Sequence, residues 1–285
     1  MAQSLRDLRR RIRSVQNTKQ ITQAMKMVAA AKLRRAQERA ENSRPYGEAM
    51  QAMLAAVVPE AGPVDLPLLE PRTVKRRGII VVSADRGLCG PYNAQVIRRT
   101  VAEIDGDKET GLVVVGRKAR DFFRRRGYPI LAEFTGLGDD PRYVQARAIG
   151  EEAVRLFLAG EVDEVTLVYN QFVNAMSSRP IAQRLLPLNV SGLGEAGPGP
   201  SHQYLFEPAA ETVLAELLPK YLETLVYRAL LEAKASEQGM RMTAMDSATK
   251  NSEELIRKLV LVRNRVRQAA ITKEIIEIVS GAAAI

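Results

Sequence analysis

"RRGIIVVSADRG", Arg76 to Gly87, marks a change of period in this chain. It is a short apolar run rich in Ile and Val, closed by turn residues, and reads as a buried strand. Four similar stretches follow: "GLVVVG" at Gly111 to Gly116, "YPILAEF" at Tyr128 to Phe134, "DEVTLVYNQFV" at Asp163 to Val173 and "RPIAQRLLPL" at Arg179 to Leu188. Helical patterns occupy the first three gaps, at about 91–104, 117–126 and 142–159. Strands alternating with helices predict a mainly parallel sheet covered on both faces. Pro- and Gly-rich joins, "PEAGPVDLPLLEPR" and "SGLGEAGPGPS", flank this unit.

Outside the joins the period is helical. Leu5, Leu8, Ile12 and Val15 form an apolar stripe that continues through Thr18, Thr22, Met25, Ala29, Leu33, Ala36 and Ala40, with no Gly or Pro before Pro45. About 40 helical residues make a rod of roughly 65 Å. At the other end Pro219 suits the first turn of a helix. From there Leu225, Ala229, Leu255, Leu259, Val262, Val266, Ala269, Ile276 and Val279 supply the stripe, over roughly 100 Å. Neither stripe buries itself, so the two helices are expected to pair antiparallel as a coiled coil with departures from a strict heptad.

Composition narrows the function. The 285 residues are 46% hydrophobic and 26% charged, as in a globular protein. No run of 18 apolar residues could span a membrane, and the start, "MAQSLRDLRRRIRSVQ", lacks the apolar core of a signal peptide. One cysteine, Cys89, excludes an internal disulfide, and with one histidine, His202, no conventional zinc site is expected. A net charge of +9 points to an acidic partner, whether nucleic acid, an anionic membrane surface or an acidic protein face.

"SADRGLCGPYN", Ser83 to Asn93, lies at a strand-to-helix turn, where phosphate loops occur. Gly87 and Gly90 make neither G-x-G-x-x-G nor a Walker loop, so the turn is read as structural. Cys89 reads as a small turn residue and His202 as a solvated loop residue, and the carboxylates form no acid/base or metal constellation. No cofactor is expected. The run "RDLRRRIR" at Arg6 to Arg13, together with Arg257, Arg263, Arg265 and Arg267, concentrates positive charge toward one end of the helix pair. No aromatic stacking residues accompany it, which argues against nucleic acid. The chain then ends on "IEIVSGAAAI", an apolar tip.

"QNTKQITQAMKMVAAAKLRRAQ" (Gln16 to Gln37), "SADRGLCGPYN", "ASEQGMRMTAMDSAT" (Ala235 to Thr249) and "RNRVRQAAITKEIIEIVSGAAA" (Arg263 to Ala284) closely resemble the gamma subunit of bacterial F-type ATP synthases. The match is collinear over nearly the whole chain. It implies a long antiparallel coiled coil of the terminal helices (1–58 and 209–285) plus a Rossmann-like α/β domain (74–190) without a nucleotide site. It also implies a non-catalytic rotor shaft, one copy per complex. Three alpha and three beta subunits surround the coiled coil, and the epsilon subunit and c ring meet the globular domain at the cytoplasmic face of the cell membrane. Ion-driven rotation of the shaft then drives the beta sites through their states, and hydrolysis drives it back.

The resemblance also assigns residues. Arg267, Gln268 and Thr272 match a segment that catches a beta-subunit loop, and Met25 matches a position facing the acidic lever loop of beta. Tyr204, Phe206 and Glu207 match the foot on the c ring, with Phe206 where the family often has a second tyrosine. Ile276, Val279, Ala282, Ala283, Ala284 and Ile285 match an apolar bearing tip, able to slide because its contacts are non-directional. The cysteine pair of chloroplast gammas is missing, so their thiol regulation is not expected. A basic coiled-coil adaptor for nucleic acid or an acidic scaffold is the alternative; it accounts for the charge and the rods, not for the tip or the four motifs. A Rossmann-like enzyme with helical arms is a further rival, and would bind nucleotide saturably.

Overall fold

The computed structural model describes residues 4–60, 66–104, 109–189, 207 and 209–282, with the side chains of 59, 60, 281 and 282 left aside. Its elements run α1 (Leu5–Glu60), β1 (Arg76–Val82), α2 (Tyr92–Ile104), β2 (Glu109–Val115), α3 (Arg117–Arg125), β3 (Ile130–Phe134), α4 (Tyr143–Leu158), β4 (Glu164–Asn174), β5 (Ser177–Leu186) and α5 (Ala210–Ala282). The chain divides into two compact units, one of 1–29 with 242–285 and the other of 30–241.

In the 30–241 unit the strands lie in the order β3-β2-β1-β4-β5. β1 pairs parallel with β2 and β4, β2 parallel with β3, and β4 antiparallel with β5. Ile80 lies beside Val113 on one side and Leu167 on the other. From Gly78 inward β1 is buried without a break, because helices cover both faces of this central strand. β5 closes one edge and carries Pro180, which is tolerated at a sheet edge because it removes only an unneeded donor.

Alternation along the strands sorts side chains between two cores. Ile79, Val81, Leu112, Val114 and Val168 face Val96 and Ile97 of α2 and Ala119 and Phe123 of α3. Ile80, Val82, Val113, Val115, Leu167 and Tyr169 belong to the second core. There they join Ile149, Leu156 and Phe157 of α4, Met50, Leu54 and Val57 of α1, and Leu214, Leu222, Val226 and Leu230 of α5. Each such side chain contributes about 1.5–3 kcal/mol on full burial. The sheet therefore draws the second half of α1 and the first half of α5 into its own core.

Among the described residues three prolines stand inside helices, Pro59 in the last turn of α1 being one. Pro45 lies within α1, and Pro219, expected in a first turn, is well inside α5, which begins at Ala210. A proline there forfeits one backbone hydrogen bond and clashes with the preceding turn. Burial of Leu214, Leu218 and Leu222 around it offsets that cost.

In the other unit α1 and α5 pair antiparallel. Lys19 meets Glu253 at 2.9 Å, Thr22 shares a 2.8 Å hydrogen bond with Thr249, and Lys26 meets Asp246 at 2.6 Å. As one number rises the other falls by nearly the same amount. The α1 seam of Leu8, Ile12, Thr22 and Ala29 is buried as the stripe implies, but Thr18 is exposed and turns its hydroxyl back to the Ser14 carbonyl. On α5 the seam follows Met245, Thr249, Ser252, Ile256, Leu259, Arg263 and Val266, all buried or half-buried. Leu255, Val262, Ala269, Ile276 and Val279 are exposed instead. Apolar residues occupy more than one face of this helix, so three-and-four spacing fits two stripes, and contact with α1 selects one.

Candidate functional site

The turn after β1 is where an open parallel sheet would bind a phosphate. Here its residues serve the fold. The first N–H groups of α3 lack helical partners. Arg117 N–H donates to the Asp85 carboxylate (3.1 Å), Lys118 N–H to the Ala84 carbonyl (3.1 Å) and Ala119 N–H to the Ser83 hydroxyl (2.9 Å). Gly136 N–H also donates to Asp85, at 3.0 Å. The chain's own carboxylate thus fills the place an anion would take. Asn93 closes the turn by accepting from Ala84 N–H and donating to Cys89 Sγ. Leu88 and Gly90 adopt the left-handed conformation that the tight turn needs, at φ 61° and 54°.

α5 seals the remaining opening. Ala84, Cys89 and Tyr92 form a small core with Met240, and Arg241 donates to the Gly87 carbonyl at 3.3 Å. Burial, the largest influence, pushes the Cys89 thiol up, against the pull of Arg241. Such a thiol is a poor nucleophile. Gly239 passes the β4–β5 hairpin so closely that a Cβ would sit 3.0 Å from the Ala175 carbonyl oxygen. Two of the four motifs, around Ser83 and around Ala235, are therefore halves of one packing arrangement.

An ionic network accompanies it, joining Lys32, Asp139, Lys234, Glu237 and Arg241. The sequence carried no sign that these residues join in one network, although Lys32, Glu237 and Arg241 fall inside two of the four motifs. The i, i+3, i+7 charge spacing at Lys234, Glu237 and Arg241 was visible, but not that this stretch is buried. Burial pushes the Asp139 carboxyl up, yet Lys32 and Lys234 outweigh it and leave the group below its ordinary range. Elsewhere in this unit Tyr46, Tyr143, Glu223 and Tyr227 line an open groove of about 850 Å³. Tyr143 donates to Glu223 at 2.7 Å, and burial with that contact raises its pKa to about 12.

The expected partner-facing residues lie mostly in the helix-pair unit. Arg267, Gln268 and Thr272 are exposed on α5, within little more than one turn. The Thr272 hydroxyl donates to the Gln268 carbonyl at 2.9 Å, leaving its oxygen facing outward as an acceptor. Met25 is half-buried, with Ile21, Met27 and Val28 exposed nearby on α1. Every α5 side chain from Ile271 to Ser280 is exposed, including Ile276 at 57% and Val279 at 61%. Ala282 ends α5, while Ala283, Ala284 and Ile285 lie outside the described residues. Tyr204, Phe206 and His202 also lie outside them, and Glu207 is exposed. Among the described residues no cluster of His, Cys, Asp or Glu could hold a metal.

The 30–241 unit is a five-stranded α/β domain whose core takes in segments of two long helices, α1 and α5. A rotor chain of Euglena gracilis mitochondrial ATP synthase shares the fold (TM-score 0.66, 19% identity, 94% of this chain and 98% of that one). A central-stalk chain of Tetrahymena thermophila mitochondrial ATP synthase is 29% identical (TM-score 0.61, 80% of this chain, 99% of that one). Residues 4–285 match the family described as ATP synthase. ATP synthase gamma chains of Desulforamulus reducens and Heliobacterium modesticaldum are 54% and 53% identical, each over 99% of both chains. The chain belongs to the ATP synthase gamma chain family.

Proposed function

We propose that this chain is the central rotor shaft of an F-type ATP synthase, coupling ion-driven rotation of a c ring to the cycling of catalytic beta subunits, and the reverse during hydrolysis. The observation that carries this reading is identity above half with gamma chains over 99% of the sequence. The exposed apolar end of α5 supports it, since ten consecutive exposed positions that include Ile271, Ile275, Ile276, Ile278 and Val279 call for a surrounding surface.

In this reading the chain supplies no catalytic group. Its work is to present different faces to a ring of three alpha and three beta subunits as it turns. Arg267 offers a fork of donors to a beta-subunit carboxylate, beside the Gln268 amide and the outward-facing Thr272 oxygen. A grip of this kind gives a dwell position, because charge-assisted hydrogen bonds are directional. Met25 presents no charge to an acidic loop and lets it pass. The apolar tip of Ile276, Val279 and the alanines after Gly281 turns in an apolar sleeve without favouring one angle. The epsilon subunit and c ring take the α/β unit and its foot at Glu207, at the cytoplasmic face of the membrane, with one copy in each complex. Among the described residues no helix is long and apolar enough to cross a membrane, in keeping with peripheral attachment.

The test is to mix the purified chain with alpha and beta subunits, then measure gel filtration and steady-state ATP hydrolysis. One copy per three alpha–beta pairs, with hydrolysis that depends on the chain, is the expected result. Separate elution with no effect on hydrolysis would overturn it.

A further inference from the structure

Glu237 is a carboxylate with only 7% of its side chain exposed, held between two cations of its own helix. Lys234 Nζ lies 3.0 Å from one oxygen and Arg241 Nη1 2.7 Å from the other. The Arg241 guanidinium also donates to the Gly87 carbonyl, in the turn after β1. Lys234 faces Asp139, in the loop between β3 and α4, at 3.5 Å, and Lys32 of α1 takes the other Asp139 oxygen at 2.8 Å. The Gln238 amide adds a 3.5 Å contact to the same carboxylate. Both helices and two strand-end loops are thus joined by charge.

Elsewhere α5 rests on the sheet through Leu214, Leu218, Leu222, Val226 and Leu230. Contacts of that kind carry no directional bond, so only shape and packing oppose a small roll or slide of the helix under load. Buried ion pairs add little net stability, since apolar side chains of similar volume often do as well or better. What they add is a fixed geometry at several points around the helix.

We propose that Glu237, with Lys234, Arg241, Asp139 and Lys32, keys α5 to the α/β unit, so that torque applied to this unit turns the helix instead of rolling it in its apolar seat. The inference rests on the rotor reading. Glu237 acts as a positioning residue. Arg241 is the last residue of this unit, and α5 itself runs on to Ala282.

The test uses the whole ATP synthase in inverted vesicles, with Glu237→Met/Arg241→Met and, separately, Asp139→Asn. Removing both partners of the buried pair avoids leaving an uncompensated charge. The double variant is expected to assemble, to keep its thermal midpoint and to hydrolyse ATP. Protons pumped per ATP should fall about twofold or more, increasingly so as the opposing gradient builds. A role in stability alone would move the midpoint and not this ratio. If the double variant does not fold, Asp139→Asn, on the more exposed carboxylate, decides alone. Wild-type pumping per ATP in the folded variants at every opposing gradient overturns the key. A wild-type chain that neither assembles nor supports hydrolysis overturns the rotor reading, and the key with it.

Discussion

The Asp246 carboxylate of α5 accepts a hydrogen bond from Lys26 of α1 at 2.6 Å and pairs with Lys250, one turn along its own helix, at 2.8 Å. Lys250 and then Lys26 hold its pKa down to about 2, from an ordinary 3.8. A depressed carboxylate contributes its stability above the ordinary value and loses it as pH falls through the folded one. Pairing of α1 with α5 should therefore weaken between about pH 4 and pH 2. Asp246→Asn is expected to flatten the acid dependence of helix content in that window; a titration superimposable on wild type would show that the contact is idle.

Gly116 stands at the end of β2 with φ 92°, and a Cβ there would meet the Ser83 carbonyl carbon at 2.8 Å. Gly116→Ala should cost about 2–4 kcal/mol, through both the left-handed backbone and the clash. Urea unfolding measures it. A cost below 1 kcal/mol, on the scale of ordinary Gly-to-Ala changes, would mean that β1 and β2 relax apart at their ends.

Leu54 of α1 is fully buried in the sheet's second core. Leu54→Ala should destabilise the α/β unit by about 2–5 kcal/mol. Exchange of the β1 and β4 amides is the readout that matters, because a helix merely resting beside the sheet would leave them protected.

Cys89 is buried, and its thiol is pushed up by that burial. The native protein should resist alkylation by iodoacetamide at neutral pH and react fully in urea. Rapid native labelling would show that the turn after β1 opens. Cys89→Ala should leave subunit assembly unchanged.

Arg267 and Thr272 are exposed, so Arg267→Ala and Thr272→Val should change the chain's own stability by no more than about 0.5 kcal/mol. In the assembled complex Arg267→Ala should lower hydrolysis by about tenfold or more, as loss of a charge-assisted grip. If Met25 faces an acidic loop as proposed, Met25→Lys adds a cation there and should lower pumping per ATP; unchanged pumping in inverted vesicles would overturn that proposed contact.

The strands were legible because apolar runs bounded by Gly, Pro and Asp leave little choice of structure, and all five fall where the pattern puts them. The α5 seam was less so. Leu259 and Val266 were identifiable, whereas Leu255 and Val262 satisfy the same periodicity and remain exposed. The Pro219 expectation failed because the rule for a first turn is local, and the core around Leu218 and Leu222 tolerates a proline deeper in the helix. The proposed partner-facing residues rest on resemblance alone, since an exposed Arg or Thr has no intrinsic pattern.

By itself the sequence determined the alternation of elements, the two long helices, the charge and the want of a phosphate motif, all consequences of local sterics and periodicity. Tertiary structure decided which face of each helix is buried, that both helices complete the α/β core, and that Asp85 and Arg241 close the crevice a ligand would need. Those outcomes depend on pairs such as Arg241 with Gly87, more than 150 residues apart. Their energy exists only once the chain has brought them together.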